Sequence, residues 1–242
     1  MALAVRSLAC TYYDGFHIEP HSHGWAQLVY AVSGVMSVRA GGTLWIVPPA
    51  RAVWVPAEAE HEIRALGDFA MRTVYFTPAL AESLPRECCA LDVPPLLREV
   101  VLAIVAIQLI DELDAEGMRL AAVAIDRIAA ARSLPLHLPL PRDPRAVRIA
   151  DRLRADPSCS LELAQLARDA GASVRTVQRL FLTDTGLRFG EWRQRLRLLH
   201  GASLLGGGSS VTHAGLEAGY AGPSAFTAAF RKHFGFTPSQ LA

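Results

Sequence analysis

Three histidines and a glutamine stand out first: His21-Ser22-His23, then Gln27, then His61. Side chains two positions apart on a strand share a face, so His21 and His23 can reach one centre. Imidazole ligands suit zinc, iron, nickel or copper, so His21, His23 and His61 could hold a divalent metal. With Gln27 they could equally line a metal-free pocket for a small organic effector. Trp25, Tyr30, Trp45 and Trp54 are candidate walls. Glu58, Glu60 and Glu62 flank His61 and read as a solvated turn. A metal-loaded pocket could also catalyse oxygenation or isomerisation. No acid–base pair stands near the histidines to move the protons, so no catalytic residue is assigned and the chain does not read as an enzyme.

A second set of chemistry-bearing residues lies toward the other end. Val177, Leu180 and Phe181 recur at i, i+3 and i+4, the apolar face of a helix. The opposite face holds Arg175, Thr176, Gln178 and Arg179. Arginine can bond guanine in bidentate fashion, glutamine can do the same with adenine, and either can hold phosphates. Further on, Phe226, Ala229 and Phe230 form a similar apolar face opposite Ser224, Thr227, Ala228 and Arg231.

Each polar ridge needs a frame. Leu161–Ala170 with Ser160 as N-cap, a left-handed turn at Gly171, and a helix from Ser173 to about Thr183 make one helix-turn-helix. Val211–Ala218, a turn at Gly219, and a helix from Ser224 to about Phe234 make another. The two copies agree at an offset of 48–49 residues: Leu166–Gly171 parallels Ala214–Gly219, Phe181 parallels Phe230, and Gly186 parallels Gly235. Between them Phe189–Leu205, with Arg193, Arg195 and Arg197, reads as one long helix that fixes their separation. Recognition helices in successive major grooves lie about 34 Å apart along the DNA. Charge agrees: residues 1–140 hold 10 arginines against 15 acids, net −5, whereas residues 141–242 hold 14 basic against 8 acidic residues, net +6. A positive C-terminal part behind an acidic one favours a polyanionic partner.

The histidines need a different frame. Leu28–Val32, Val35–Val38, Leu44–Val47, Ala52–Val55 and Met71–Phe76 are β-prone runs separated by glycines and prolines, the pattern of a sandwich or barrel. After Pro94-Pro95 the pattern turns helical, with Leu96–Leu113 and Met118–Ala131 broken at Gly117. The longest apolar run, Val100–Ile107, is far short of the ~20 residues of a membrane span. A helix so apolar must be covered by the barrel or by a second copy. Pro135, Pro139, Pro141 and Pro144 favour an extended linker. Cys10, Cys88, Cys89 and Cys159 form no CxxC pair and read as reduced thiols. The N-terminus has no basic stretch leading into a long apolar core, so no signal peptide is expected.

The run Leu163-Ala164, Ala167, Ala170-Gly171, Ser173, Gln178-Arg179-Leu180-Phe181 and Thr185-Gly186 is followed by Ala214, Glu217-Ala218-Gly219-Tyr220, Ser224, Phe226, Phe230-Arg231, Phe234-Gly235 and Thr237-Pro238. On these residues the region from about 145 to 240 resembles the DNA-binding domain of the AraC/XylS family of bacterial transcription regulators. The resemblance implies that Arg175, Thr176, Gln178 and Arg179 face DNA, with Ser224, Thr227 and Arg231 at the second site. Ala228 stands where that family usually has arginine, and Pro223 occupies the cap of the second reading helix. The second unit is therefore expected to contact mainly phosphates. The HxH pair, Gln27 and His61 resemble the cupin pattern, with glutamine in place of the commoner glutamate.

The sequence therefore predicts an α+β chain. Residues 1–93 form a cupin-like sensor β-barrel, 94–134 a helical hairpin and dimerisation segment, 135–144 a proline-rich linker, and 145–242 an all-α domain with two helix-turn-helix units. The expected partners are promoter DNA, a small-molecule effector, a second copy of the chain, and RNA polymerase if it activates. The expected setting is the cytoplasm.

Overall fold

The computed structural model describes residues 2–241 and divides into two compact units. The first extends to Gly41 and resumes over Trp45–Pro135; the second comprises Gly42–Leu44 and the chain from Leu136 onward.

The first unit is built from β1 (Leu3–Tyr12), β2 (His17–His21), β3 (Ala26–Ser33), β4 (Met36–Ala40), β5 (Thr43–Val47), β6 (Arg51–Val55), β7 (His61–Ala65), β8 (Phe69–Phe76), β9 (Cys89–Asp92), α1 (Pro95–Ile107), β10 (Leu109–Asp111) and α2 (Ala115–Ala129). One sheet runs β10-β1-β8-β3-β6-β9; the other contains β5-β4-β7-β2 in that order. The register Arg6↔Tyr75 and Tyr75↔Gln27 aligns β1, β8 and β3 row by row. Opposed residues project to the same face, so each row has a side. Leu28, Tyr30, Trp54, Val74 and Phe76 take the outer side, under α1 and α2. There α1 buries Leu97, Val100, Val101, Ile104 and Val105, and α2 buries Ala121, Ala124 and Ile128. Each large apolar side chain so buried contributes about 1.5–3 kcal/mol.

The structure corrects the two expected helices. The first stops at Ile107, because Gln108 turns at φ 71° and Leu109–Asp111 pairs with β1. The backbone N–H of Ser7 donates to the Gln108 carbonyl at 2.8 Å. Strand pairing thus overrides helical patterning over 108–113. The second helix begins at Ala115, capped by Asp114, whose carboxylate accepts from the Glu116 and Gly117 N–H groups. Gly117 therefore lies inside that helix and is not a break. Strands β1, β2, β7, β9 and β10 add to those read from sequence.

The second unit holds β11 (His137–Pro139), α3 (Pro144–Ala155), α4 (Leu163–Asp169), α5 (Val174–Thr185), α6 (Phe189–Gly206), α7 (Val211–Glu217), α8 (Pro223–Phe234) and a final 3₁₀ turn at Pro238–Gln240. The proline-rich stretch is extended but held: Leu136 and Leu138 are buried, and Trp192 Nε1 donates to the Pro139 carbonyl at 2.7 Å. The spine is α6, which buries Phe189, Trp192, Leu196, Leu198, Leu199, Ala202 and Leu205. Phe181 of α5 packs edge-on against Trp192 at 5.0 Å. Phe226 of α8 seats over Gly201, where a Cβ would lie 2.6 Å from its ring. Among the described residues no helix is long and apolar enough to cross a membrane.

Candidate functional site

His21 closes β2 and His61 opens β7, and the two are cross-strand partners. His23 lies in the turn before β3, and Gln27 is the second residue of β3. The nitrogens of His21, His23 and His61 lie within 4.8 Å of one another. Each ring is held the same way. The Nδ1 of His21 meets the Glu19 carbonyl at 2.8 Å, that of His23 the Trp25 carbonyl at 2.7 Å, and that of His61 the Ala59 carbonyl at 2.9 Å. A carbonyl only accepts, so every Nδ1 carries a proton, and in the neutral ring Nε2 presents a lone pair. Two of those lone pairs face Gln27: its Oε1 lies 2.9 Å from His61 Nε2 and 3.2 Å from His23 Nε2. The Gln27 Nε2 donates to Thr73 Oγ1 at 2.8 Å, and Thr73 donates on to the Leu28 carbonyl. Burial holds His61 neutral, with its pKa lowered to about 4.

The four residues expected to converge lie together. Thr73 and Tyr75 join them unforeseen; their period of two within Met71–Phe76 puts them on one face and could have shown it. Of the expected walls, Tyr30 and Trp54 lie on the outer side of the sheet with the helices. Trp45 is buried, and Trp25 is half-buried beside Arg6. Glu62 is no part of a solvated turn: it is buried and accepts from His17 at 2.9 Å and Arg64 at 3.3 Å. Its pKa is lowered: burial pushes it up, and bonds from His17 and Arg64 outweigh that.

In the second unit α4 and α5 are joined through Gly171, and α7 and α8 through Gly219, both left-handed at φ 69° and 77°. Ser173 caps α5 through the Thr176 N–H at 3.1 Å, and Ser210 caps α7 through the His213 N–H at 3.2 Å. Ser160 does not cap α4, which starts two residues later behind Glu162 without a side-chain cap. On α5, Val177, Leu180 and Phe181 are buried; Arg175, Gln178 and Arg179 are exposed and Thr176 half-exposed. On α8, Phe226, Phe230 and Phe234 are buried; Ser224, Ala228 and Arg231 are exposed and Thr227 half-exposed. Both helices end at a left-handed glycine, Gly186 and Gly235.

The positive charge of this unit divides in two. Arg193 bonds the Leu161 and Cys159 carbonyls, and Arg197 those of Pro157, Ser158 and Cys159. Arg148 bonds the Ala170 carbonyl, and Arg152 pairs with Asp169 at 2.7 Å. Arg175, Gln178 and Arg179 make no hydrogen bond or ion pair among the described residues, and line one open groove with Arg188 and Gln194.

Residues 7–125 match the family described as the AraC-like ligand binding domain, and residues 166–242 match a helix-turn-helix domain. HTH-type transcriptional regulator NimR of Escherichia coli K12 is 30% identical over 220 residues, spanning 91% of this chain and 80% of that protein. HTH-type transcriptional regulator RipA of Corynebacterium glutamicum is 43% identical over 102 residues, 42% of this chain and 30% of that one. The crystal structure of unsaturated fatty acid-bound ToxT from Vibrio cholerae is 12% identical with a TM-score of 0.41, covering 98% of this chain and 94% of that one. The chain belongs to the AraC family, as a DNA-binding transcriptional regulator with a ligand-binding N-terminal domain.

Proposed function

We propose that Arg175, Thr176, Gln178 and Arg179 read operator bases while Ser224, Thr227 and Arg231 hold phosphates, under the control of an effector in the histidine pocket. The supporting observation is the free edge of α5: Arg193, Arg197 and Arg152 are tied to carbonyls or a carboxylate, whereas Arg175 and Arg179, among the described residues, are left for an outside partner. Phosphate contacts make affinity fall steeply with added salt. Fluorescence anisotropy of the full chain on promoter DNA across a salt series tests this. Binding indifferent to salt rejects it.

The donor set of the pocket fits a divalent metal. The three Nε2 lone pairs converge, and two of them meet an amide oxygen, so acceptor faces acceptor until a cation enters or the amide turns over. His21, His23 and His61 would hold the ion with Gln27 Oε1 beside it. A bound ion would supply positive charge and an open position for an effector; we assign it no catalysis. Metal analysis of the purified chain against His61→Ala checks the reading.

The chain acts in the cytoplasm as a homodimer, and recruits RNA polymerase if it activates. The outward face of α2 supports the dimer: Arg119, Ala122, Val123 and Asp126 are exposed along it. Two copies laid antiparallel about Ala122 and Val123 bring Arg119 of each against Asp126 of the other. Arg119→Asp should give a monomer in sedimentation, and restoring Asp126→Arg should recover the dimer.

A further inference from the structure

Arg6 shares a row with the pocket. It is in register with Tyr75, and Tyr75 with Gln27, so all three project from the face that carries Gln27 to the histidines. The Arg6 guanidinium lies 4.5 Å from the Tyr75 ring centroid and 5.1 Å from that of Trp25. The other side of the row is closed by His23, whose ring stands edge-on to Tyr75 at 5.2 Å. One aromatic ring thus separates a cation from the histidine cluster.

Among the described residues the cation has no counter-ion. Arg39, Arg51, Arg64 and Arg98 in this unit each pair with a carboxylate, but among the described residues Arg6 pairs with none. Its Nε is enclosed and unpartnered. Aromatic faces offset part of the cost of desolvating a guanidinium but satisfy none of its N–H donors. The next residue along this face, Leu8, is 48% exposed, an apolar surface beside the charge. A guanidinium lying over two rings keeps its N–H fork for a carboxylate.

We propose that Arg6 is the anion anchor of the effector pocket and takes the carboxylate of a small organic acid. The acid's apolar body lies over Leu8 and Tyr75, toward the histidines. This rests on the reading of the pocket as the effector chamber.

The test uses the full chain and two matched pairs of probes, benzoate with benzamide and octanoate with octanamide, titrated by calorimetry. Each acid should bind roughly 10- to 100-fold tighter than its amide, the range expected for a hydrogen bond to a charged group. Arg6→Gln should erase that preference, and Arg6→Lys should keep part of it. Circular dichroism and operator binding establish that both variants fold. Equal affinity for acid and amide overturns the proposal, as does a preference that survives Arg6→Gln or no acid binding at millimolar concentration. A preference that chelators abolish and Arg6→Gln leaves intact also overturns it, because the histidine-bound ion would then hold the carboxylate. Zinc uptake and operator binding, measured on the same samples, report on the pocket and the DNA ridges separately. Failure here alone leaves those readings standing.

Discussion

The two helix-turn-helix units share a frame but differ on their outward sides. Gly171 and Gly219 turn alike, Phe181 and Phe230 fill matching positions, and Gly186 and Gly235 end both helices. On that common frame α5 carries Arg175, Gln178 and Arg179, all long and unengaged, whereas α8 carries Ser224, Thr227, Ala228 and Arg231. Packing is dictated by the need to bury an aromatic face, so it repeats. The polar side answers only to the partner, so it diverges. On the proposed reading, the difference gives the first unit the reach for bases and leaves the second little more than a grip.

The largest effects should be alike in the two units. Phe181→Ala and Phe230→Ala should each lose about 3–5 kcal/mol in denaturant unfolding. A much smaller loss at Phe230 would break the idea of a common frame. Next in size, Arg179→Ala should weaken operator binding by ~1–3 kcal/mol and relax base preference at one position. Arg231→Ala should weaken binding to every sequence alike and lower the salt slope by about 1. Base-selective loss at Arg231 would reverse the assignment of reader and grip.

A smaller contrast lies at the turns. Gly171→Ala should cost about 1 kcal/mol in stability for its left-handed backbone alone. Gly219→Ala should cost more, because a Cβ there would lie 3.1 Å from the Arg197 guanidinium and 3.2 Å from the Ser158 Cα. Thermal melts of the two variants side by side decide it. The smallest effect should be an acid sensitivity near the second unit. His233 on α8 has its pKa lowered to about 4 by burial, with Arg195 of α6 and His137 of β11 adding repulsion. Neutral in the folded chain, it contributes stability that is full above pH ~6.5 and is lost as pH falls toward about 4. His233→Leu should lessen the slope of melting temperature against pH over that window and leave the part that His61 contributes in the N-terminal unit; an unchanged slope would remove His233 as a source.

Much of this was legible in the residues. Helical apolar spacing, the turn glycines and the repeat placed the helix-turn-helix pairs, and the HxH, Gln27 and His61 set lies together. Ser160, Gly117 and the tail of the first apolar helix misled, because cap and break signals are local and strand pairing is not. Helical patterning at 108–113 lost to the edge of β1. The net charge of +6 also overstated what is available to DNA, since Arg193 and Arg197 are tied to carbonyls. Arg6 was invisible, because only the register of β1 against β8 brings it to the histidines.

Gly201 sits beneath α8. The ring of Phe226 rests where a methyl group would otherwise stand, so the depth of that notch sets how far α8 sits from the spine. If both units touch one double helix, as proposed, the spacing between those two points is gauged by one missing carbon. Shifting a binding site by a single base pair also turns it by about a tenth of a revolution. A larger residue at 201 would change which promoters fit without altering any side chain that touches them.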